Sequence, residues 1–304
     1  MEHKSVKPEW LKITPPGGER YQLIKGLVTG NNLSTVCQEA RCPNMSECWG
    51  GGTATFMILG KTCTRGCRFC HVNTAKNGEP VDLQEPAKIA ESAHIMGLDY
   101  VVLTMVDRDD LPDGGAGQVA ATIRAIREKD PNTLIEMLAG DFMGNLDQVK
   151  VVADSNPDVY AHNIETVRRL SPTVRDGRCD YDQSLSILQW VKNNYPHQYT
   201  KSSLMVGLGE TRDEMIESMK DLRKHQVDIL TIGQYLRPTT WHLEVKEYIH
   251  PDQFRDYETI GKELGFLYVA SGPLVRTSYR AGELFMKGMI QDRRMQTHVS
   301  VSHR

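Results

Sequence analysis

Two sets of three cysteines carry most of the chemistry open to this chain of 304 residues. In Cys63-Thr64-Arg65-Gly66-Cys67-Arg68-Phe69-Cys70, three thiols fall within eight residues, just after the apolar run Phe56-Met57-Ile58-Leu59. Thiolates this close can hold three irons of a cubane iron-sulfur cluster, whereas an ordinary electron-transfer cubane takes four. The iron left without a protein ligand is then open to a substrate or cofactor, by the logic that separates open catalytic metal sites from closed structural ones. Gly66 permits a sharp turn between the ligands. Lys61, Arg65 and Arg68 put positive charge where thiolates and sulfides gather negative charge. A zinc knuckle or a group of free thiols is the alternative, although zinc motifs come as C-x2-C pairs and want four ligands.

The second set, Cys37-x4-Cys42-x5-Cys48, ends fifteen residues before Cys63. Alone, this spacing would suit zinc, an iron-sulfur cluster or nothing; beside the first triad it points to two clusters. Only Cys179, in Arg175-Asp176-Gly177-Arg178-Cys179, stands apart from these six, and it reads as an incidental thiol. His71, next to Cys70, reads first as a solvent-facing loop histidine and second as a group that tunes the cluster. Such clustering indicates metal ligation in a reducing cytoplasm rather than a disulfide framework.

The elements that must position these thiols follow from periodicity. From Thr53 onward, short runs rich in Val, Ile, Leu or Thr predict strands at 53–59, 99–106, 133–139, 158–163, 202–207 and 227–233. Helical patterns lie between them: one opened by Pro86 and closed by Gly97, one after Gly115 with Val119, Ile123 and Ile126, and one striped by Leu185, Leu188 and Val191. Thr211 and Glu214 form a capping box ahead of Met215, Met219 and Leu222. Six strand-helix repeats predict an α/β fold with a parallel sheet, and both an open doubly wound sheet and a partial barrel fit them. Either way Cys63 follows the first strand at its carboxyl end, where such folds place their chemistry. The first fifty residues carry few element signals; Trp10, Leu11 and Leu23 are expected to pack on the larger body. A further helix and a strand at 266–271 follow residue 250, and the polar tail from Lys287 is expected to fray.

A net charge of -3 and a pI near 6.4 argue against nucleic-acid binding through a basic surface. The start, Met1-Glu2-His3-Lys4, leads into polar sequence without a signal-peptide core, and no run of 18 apolar residues is present, so a cytoplasmic protein without a membrane partner is expected.

The C-x3-C-x2-C pattern with an aromatic residue before its last cysteine resembles the cluster motif of the radical S-adenosylmethionine enzymes. The resemblance implies a partial (β/α)6 TIM-like barrel, with the open iron chelating S-adenosylmethionine as the source of a 5'-deoxyadenosyl radical. A narrower resemblance covers nearly the whole chain. Both triads in order, Ala54-Thr55-Phe56-Met57, Asp107-Arg108-Asp109-Asp110-Leu111, Asp113-Gly114-Gly115-Ala116, His162-Asn163-Ile164-Glu165-Thr166-Val167, Gly207-Leu208-Gly209-Glu210-Thr211 and Arg276-Thr277-Ser278-Tyr279 are similar to the lipoyl synthase family. It implies an N-terminal extension (1–52), a barrel (53–270) and a C-terminal extension (271–304), the extensions covering the barrel mouth.

That family inserts two sulfur atoms, at C6 and C8, into an octanoyl chain amide-linked to a lysine of a carrier protein. The resemblance implies two [4Fe-4S] clusters: a radical-forming one on Cys63, Cys67 and Cys70, and an auxiliary one, consumed as sulfur source, on Cys37, Cys42, Cys48 and a serine. Here the family's Arg-Ser-Ser-Tyr reads Arg276-Thr277-Ser278-Tyr279, so the serine carries over to Ser278, with Thr277 as a second hydroxyl in reach. Asp109, Gly114, Gly115, Glu165, Met205, Gly207, Tyr235 and Leu236 are the candidates for holding S-adenosylmethionine. Expected partners are octanoylated lipoyl domains of 2-oxoacid dehydrogenases and the glycine cleavage H protein, an electron donor and a cluster-repair protein. The chemistry fits the residues, because unactivated C–H bonds offer nothing to acid-base catalysis and no such arrangement stands out. Another two-cluster radical enzyme and a non-enzymatic electron carrier are the alternatives.

Overall fold

The computed structural model of the protein describes residues 7–12, 17–31, 33–39, 42, 44–50, 55–277 and 288. Its N-terminal part holds α1 (Glu19–Gly30), the short strand β1 (Ser34–Thr35), α2 (Val36–Glu39) and α3 (Met45–Gly50). The body then alternates strand and helix: β2 (Thr55–Ile58), the short pair β3 (Thr62–Cys63) and β4 (Asn73–Thr74), α4 (Glu85–Ile95), β5 (Tyr100–Met105), α5 (Ala116–Lys129), β6 (Leu134–Leu138) and α6 (Leu146–Asp154). It continues through β7 (Val159–Ala161), α7 (Ser171–Val174), α8 (Tyr181–Asn194), β8 (Tyr199–Val206), α9 (Arg212–Lys224), β9 (Ile229–Gln234), α10 (Pro251–Glu263) and β10 (Tyr268–Gly272).

The main sheet runs β1-β2-β5-β6-β7-β8-β9-β10, with every pair parallel except β1 against β2. Strand order follows chain order without reversal, so the sheet lacks the switch point of a doubly wound fold and corresponds to the partial barrel. Two strands extend it beyond the six predicted strand-helix repeats, one of them the strand expected at 266–271. β10 joins as a seventh parallel strand, from Tyr268 opposite Ile229 to Gly272 opposite Gly233. At the other edge Ser34 and Thr35 pair antiparallel with Met57 and Phe56, which hydrogen-bonds the N-terminal part to the first barrel strand.

The helices bury the faces their periodicity marks. Pro86 sits in the first turn of α4, and α5 buries Val119, Ile123 and Ile126. The capping box on α9 forms in both directions, Thr211 accepting from the Glu214 N–H and Glu214 from the Thr211 N–H. α6, which the strand pattern passes over, starts at Asn145, whose side chain accepts from the Asp147 N–H.

The N-terminal part shares the barrel's core. Tyr21, Ile24 and Val28, one helical stripe of α1, bury with Trp49, which is 0% exposed and lies 5.1 Å from the Tyr21 ring. Truncating a tryptophan so placed costs about 3–5 kcal/mol. Leu11 is buried as expected and Trp10, 37% exposed, sets its ring edge-on to His250 at 5.1 Å, but Leu23 stays exposed because α1 turns the Tyr21-Ile24-Val28 stripe inward. Inside the barrel the charges of Glu136 (β6) and Lys201 (β8) satisfy each other at 2.6 and 2.8 Å, with the Tyr100 hydroxyl donating to the same carboxylate. Among the described residues no helix is long and apolar enough to cross a membrane.

Candidate active site at the barrel mouth

The carboxyl ends of the parallel strands open into one cavity of about 620 Å³. Its wall takes residues from the ends of all seven strands or the segments after them: Cys63, Met105, Leu138, Asn163, Met205, Tyr235 and Thr277 among them. The N-terminal part supplies Cys37, Cys42 and Cys48 to the same wall, so all six cysteines of the two triads face one space together with Cys179. All seven are free thiols.

Leu59, at φ 74°, ends β2 by turning the chain into the cysteine loop. Gly115 is its seat: it has φ 86°, and an added Cβ would lie 2.2 Å from a Leu59 methyl. The loop is then stitched down by its backbone. Thr64 N–H donates to Asp107 C=O, Arg68 N–H to Val174 C=O, and Ala75 N–H to Cys63 C=O. Two thiol sulfurs accept backbone donors, Cys63 from Arg65 N–H at 3.4 Å and Cys67 from Asp176 N–H at 3.3 Å.

Arg65 lines the cavity, but its charge is not left to the thiolates as its place in the motif suggests. Its guanidinium, 1% exposed, forks onto Asp109 at 2.8 and 2.8 Å and reaches Asp141 at 2.7 Å. Its charge is thus taken up by carboxylates. Burial would raise Asp141, but Arg65 holds it below its ordinary value; Asp107, half-buried and 3.7 Å from Arg65, is pushed up to about 6 by desolvation. His162 is neutral, lowered to about 4 by burial, between the Ala139 carbonyl and the Ser184 hydroxyl.

The remaining sequence candidates divide. Glu165, Met205, Tyr235 and Leu236 line the cavity with the cysteines. Glu165 has φ 67°, its carboxyl is raised by burial, and Asn163 donates to it at 3.0 Å. Asp109, Gly114, Gly115 and Gly207 are not in the cavity wall. Asp109 anchors Arg65, Gly114 and Gly115 pack on Phe142 and Leu59, and Gly207 lets Gln234 and the Glu247 carbonyl approach where a Cβ would sit 2.1 and 2.5 Å away. Ser278 and Tyr279 lie outside the described residues, whereas Thr277 is in the wall and its hydroxyl accepts from Asn163 at 3.1 Å.

Three residues gain a place that spacing did not reveal. His71 is half-buried in the wall rather than solvent-facing, and its Nδ1 meets the Glu39 carbonyl at 2.8 Å, tying the loop of Cys63, Cys67 and Cys70 to the helix that carries Cys37. Its ring stacks at 5.7 Å on His242, whose Nε2 donates to the Cys70 carbonyl at 2.9 Å while Nδ1 accepts from Thr239. Cys179 is not remote: it is buried, accepts from Arg65 at 3.3 Å and shares a hydrogen bond with Cys67 that, together with burial, raises the Cys67 thiol. No local pattern could have signalled contacts made across 32 positions of chain for His71 and Glu39, and across 114 and 172 for Cys179 with Arg65 and His242 with Cys70.

The donor set suits iron and sulfide. Burial raises Cys37 to about 11, Cys63 to about 12 and Cys70 to about 11, so the thiols are protonated until metal displaces the proton. Among the described residues no three ligating side chains converge on one ion position, so each triad offers separate thiols along a shared cavity wall. Asn163 Oδ1 and Asp141 Oδ2 are buried without a hydrogen-bond partner in that wall, acceptors available to a bound polar group.

Comparison with known proteins bears on family and fold. The model of the radical SAM superfamily matches residues 57–222, and that of the N-terminal domain of lipoyl synthase matches residues 2–42. Lipoyl synthase of Anaeromyxobacter sp. (strain Fw109-5) is 55% identical over 287 residues, 94% of this chain and 97% of the relative. That of Myxococcus xanthus is 52% identical over 97% of this chain and 99% of its own, and the mitochondrial lipoyl synthase of Drosophila melanogaster is 53% identical over 96% and 79%. In fold, the chain resembles Streptococcus suis SuiB bound to S-adenosylmethionine (TM-score 0.57, 12% identity, 75% of this chain and 55% of that one). It also resembles methylornithine synthase PylB (TM-score 0.51, 14% identity, 85% and 87%). With both cysteine triads in place and more than half of its residues shared with bacterial relatives from end to end, the chain belongs to the lipoyl synthase family of the radical SAM superfamily.

Proposed function

We propose that this protein inserts two sulfur atoms, at C6 and C8, into an octanoyl chain amide-linked to a lysine of a carrier protein, with two [4Fe-4S] clusters and S-adenosylmethionine bound at the barrel mouth. The observation that carries this reading is the convergence of two thiol triads, from different segments, on one cavity. When bound, these groups supply a 5'-deoxyadenosyl radical able to take hydrogen from unactivated C–H bonds, and sulfide to replace it.

The chain's own part is to hold, orient and shield. Cys63, Cys67 and Cys70 hold the radical-forming cluster, with the Arg65 and Asp176 N–H groups offsetting thiolate charge at the sulfurs. Cys37, Cys42, Cys48 and Ser278 hold the auxiliary cluster; a serine oxygen is a harder and weaker partner for iron than a thiolate and yields it more readily. Arg276, whose charge opposes the rise of the Cys42 thiol, adds a cation on that side. Glu165, with Met205, Tyr235 and Leu236, contacts S-adenosylmethionine from the wall. Asp109, Gly114, Gly115 and Gly207 shape the loops behind it. The apolar wall from Val36, Met57, Phe69, Val106, Leu138 and Leu204 excludes water and suits an alkyl chain.

Octanoylated lipoyl domains and the glycine cleavage H protein are the proposed partners, served by an electron donor and a cluster-repair protein in a reducing, cytoplasmic setting. The test is mass spectrometry of an octanoyl-lysyl peptide incubated with anaerobically reconstituted protein, reductant and S-adenosylmethionine. Gain of two sulfurs is expected. No gain from a preparation carrying about eight irons and eight sulfides would overturn the reading.

A further inference from the structure

We propose that Thr277 is a positioning residue for sulfur transfer: its hydroxyl, held by Asn163, seats the segment after β10 across the barrel mouth in register with the auxiliary cysteine loop. The proposal rests on the sulfur-insertion reading above.

Residues 274–277 leave β10 and cross the end of β9, and three separate parts of the chain hold them there. Asn44, between Cys42 and Cys48, donates its Nδ2 to the Leu274 carbonyl at 2.6 Å. Gly233 of β9 leaves room for the Val275 carbonyl, which a Cβ would meet at 2.1 Å. Asn163, at the end of β7, donates to the Thr277 hydroxyl at 3.1 Å. The first two fixings use the segment's backbone, whereas the third depends on the side chain at 277. The Arg276 guanidinium returns to its own segment, donating to the Val275 carbonyl at 2.7 Å.

Asn163 can act in this way because its orientation is set. Its Nδ2 has two hydrogens and faces two acceptors, Thr277 Oγ1 and Glu165 Oε1 at 3.0 Å. Reversing the amide would set Oδ1 against the Glu165 carboxylate. One side chain therefore links Glu165, in the wall beside the radical triad, to the segment that Asn44 links to the auxiliary loop. Any hydroxyl at 277 satisfies Asn163, and threonine's β-methyl further restricts χ1 and so holds that hydroxyl in place. Radical formation needs the cofactor and the first triad alone, but moving sulfur to carbon depends on how the two cysteine loops lie relative to each other. Errors on the order of 1 Å in such placement weigh heavily on rate.

Thr277→Val removes the hydroxyl and keeps the shape; Thr277→Ser keeps the hydroxyl. In cluster-free protein, hydrogen exchange of the peptide over 272–277, which contains the Val275 amide bonded to the Gly272 carbonyl, is expected to quicken about two- to tenfold in Thr277→Val and to stay at the wild-type rate in Thr277→Ser. In reconstituted protein, sulfur inserted per 5'-deoxyadenosine formed is expected to fall in Thr277→Val and recover in Thr277→Ser. Wild-type exchange in Thr277→Val overturns the seating, and an unchanged sulfur ratio despite faster exchange overturns its use in the reaction. If wild type itself forms 5'-deoxyadenosine without inserting sulfur, the functional reading fails instead, and the exchange comparison still decides whether Thr277 seats the segment.

Discussion

Gly233→Ala tests whether the C-terminal crossing is seated by a notch in the barrel. A methyl at 233 would lie 2.1 Å from the Val275 oxygen and 3.1 Å from its carbon, so one side must retreat by roughly 1 Å. β9 is held by parallel ladders on both sides, to β8 over six residue pairs and to β10 over five, and cannot give way cheaply. The crossing can, at the cost of the Asn44–Leu274 and Asn163–Thr277 hydrogen bonds. At about 1 kcal/mol each, this is about 2 kcal/mol, or roughly a 30-fold shift toward the unseated segment. Hydrogen exchange across 272–277 should quicken by about that factor, while the melting temperature falls by no more than a few degrees because the opening is local. Gly272→Ala is the control: its Cβ would meet only a Val275 methyl at 3.2 Å, a side-chain end able to shift. Wild-type exchange in Gly233→Ala would refute the notch, and a collapse of the whole fold would show that the strand, not the crossing, absorbs the clash.

Arg65→Leu should destabilise cluster-free protein by about 3–5 kcal/mol in chemical denaturation, because Asp141 and Asp109 would lose a buried cation. Arg65→Lys should fall between the two, since an ammonium cannot reproduce the fork on Asp109. Alkaline pH should also weaken the cluster-free fold. Burial raises Cys37, Cys63 and Cys70 from 9.0 to about 11, 12 and 11, so the unfolded chain releases these protons first. The stabilisation is whole below pH 9 and is lost as pH rises through about 11, which denaturant midpoints in reductant at about pH 8 and about pH 10 would detect; a midpoint that rises with pH contradicts it. Thr211→Ala removes one half of the α9 capping box and should cost about 1 kcal/mol in the same assay, whereas an unchanged midpoint would mean that the cap adds nothing.

What the sequence made legible is what is local. β2, β5, β6, β8 and β9 fall where runs of branched apolar residues mark them, because a parallel strand buried on both faces needs such a run. The α9 cap was readable from two residues three apart. α1 escaped notice because Leu23 and Leu27 blur the periodicity of its buried stripe, Tyr21, Ile24 and Val28, and what makes it a helix of the body is Trp49 beneath it. β10 was visible as a strand, but its place as a seventh member of the barrel depends on pairing with β9, which no short pattern states.

The site shows the same division, with a chemical consequence. Six cysteines were found by spacing because a cluster demands clustered thiols; how they are held was not, because those contacts join positions far apart, such as Asn44 with Leu274 and Cys67 with the Asp176 amide. Charge shows this most directly. A motif holding Arg65 and Arg68 among three thiols invites the inference that the arginines balance the thiolates. Arg65 is instead committed to Asp109 and Asp141, and the Cys63 and Cys67 sulfurs receive backbone N–H groups. Backbone dipoles hold their position whatever charge gathers on the sulfurs, whereas a flexible guanidinium would have to reorient with it. The arginine acts through the loop it belongs to: held by Asp109 and Asp141, it fixes the backbone that presents the Arg65 N–H to Cys63, while the Asp176 N–H reaches Cys67 from the segment after α7.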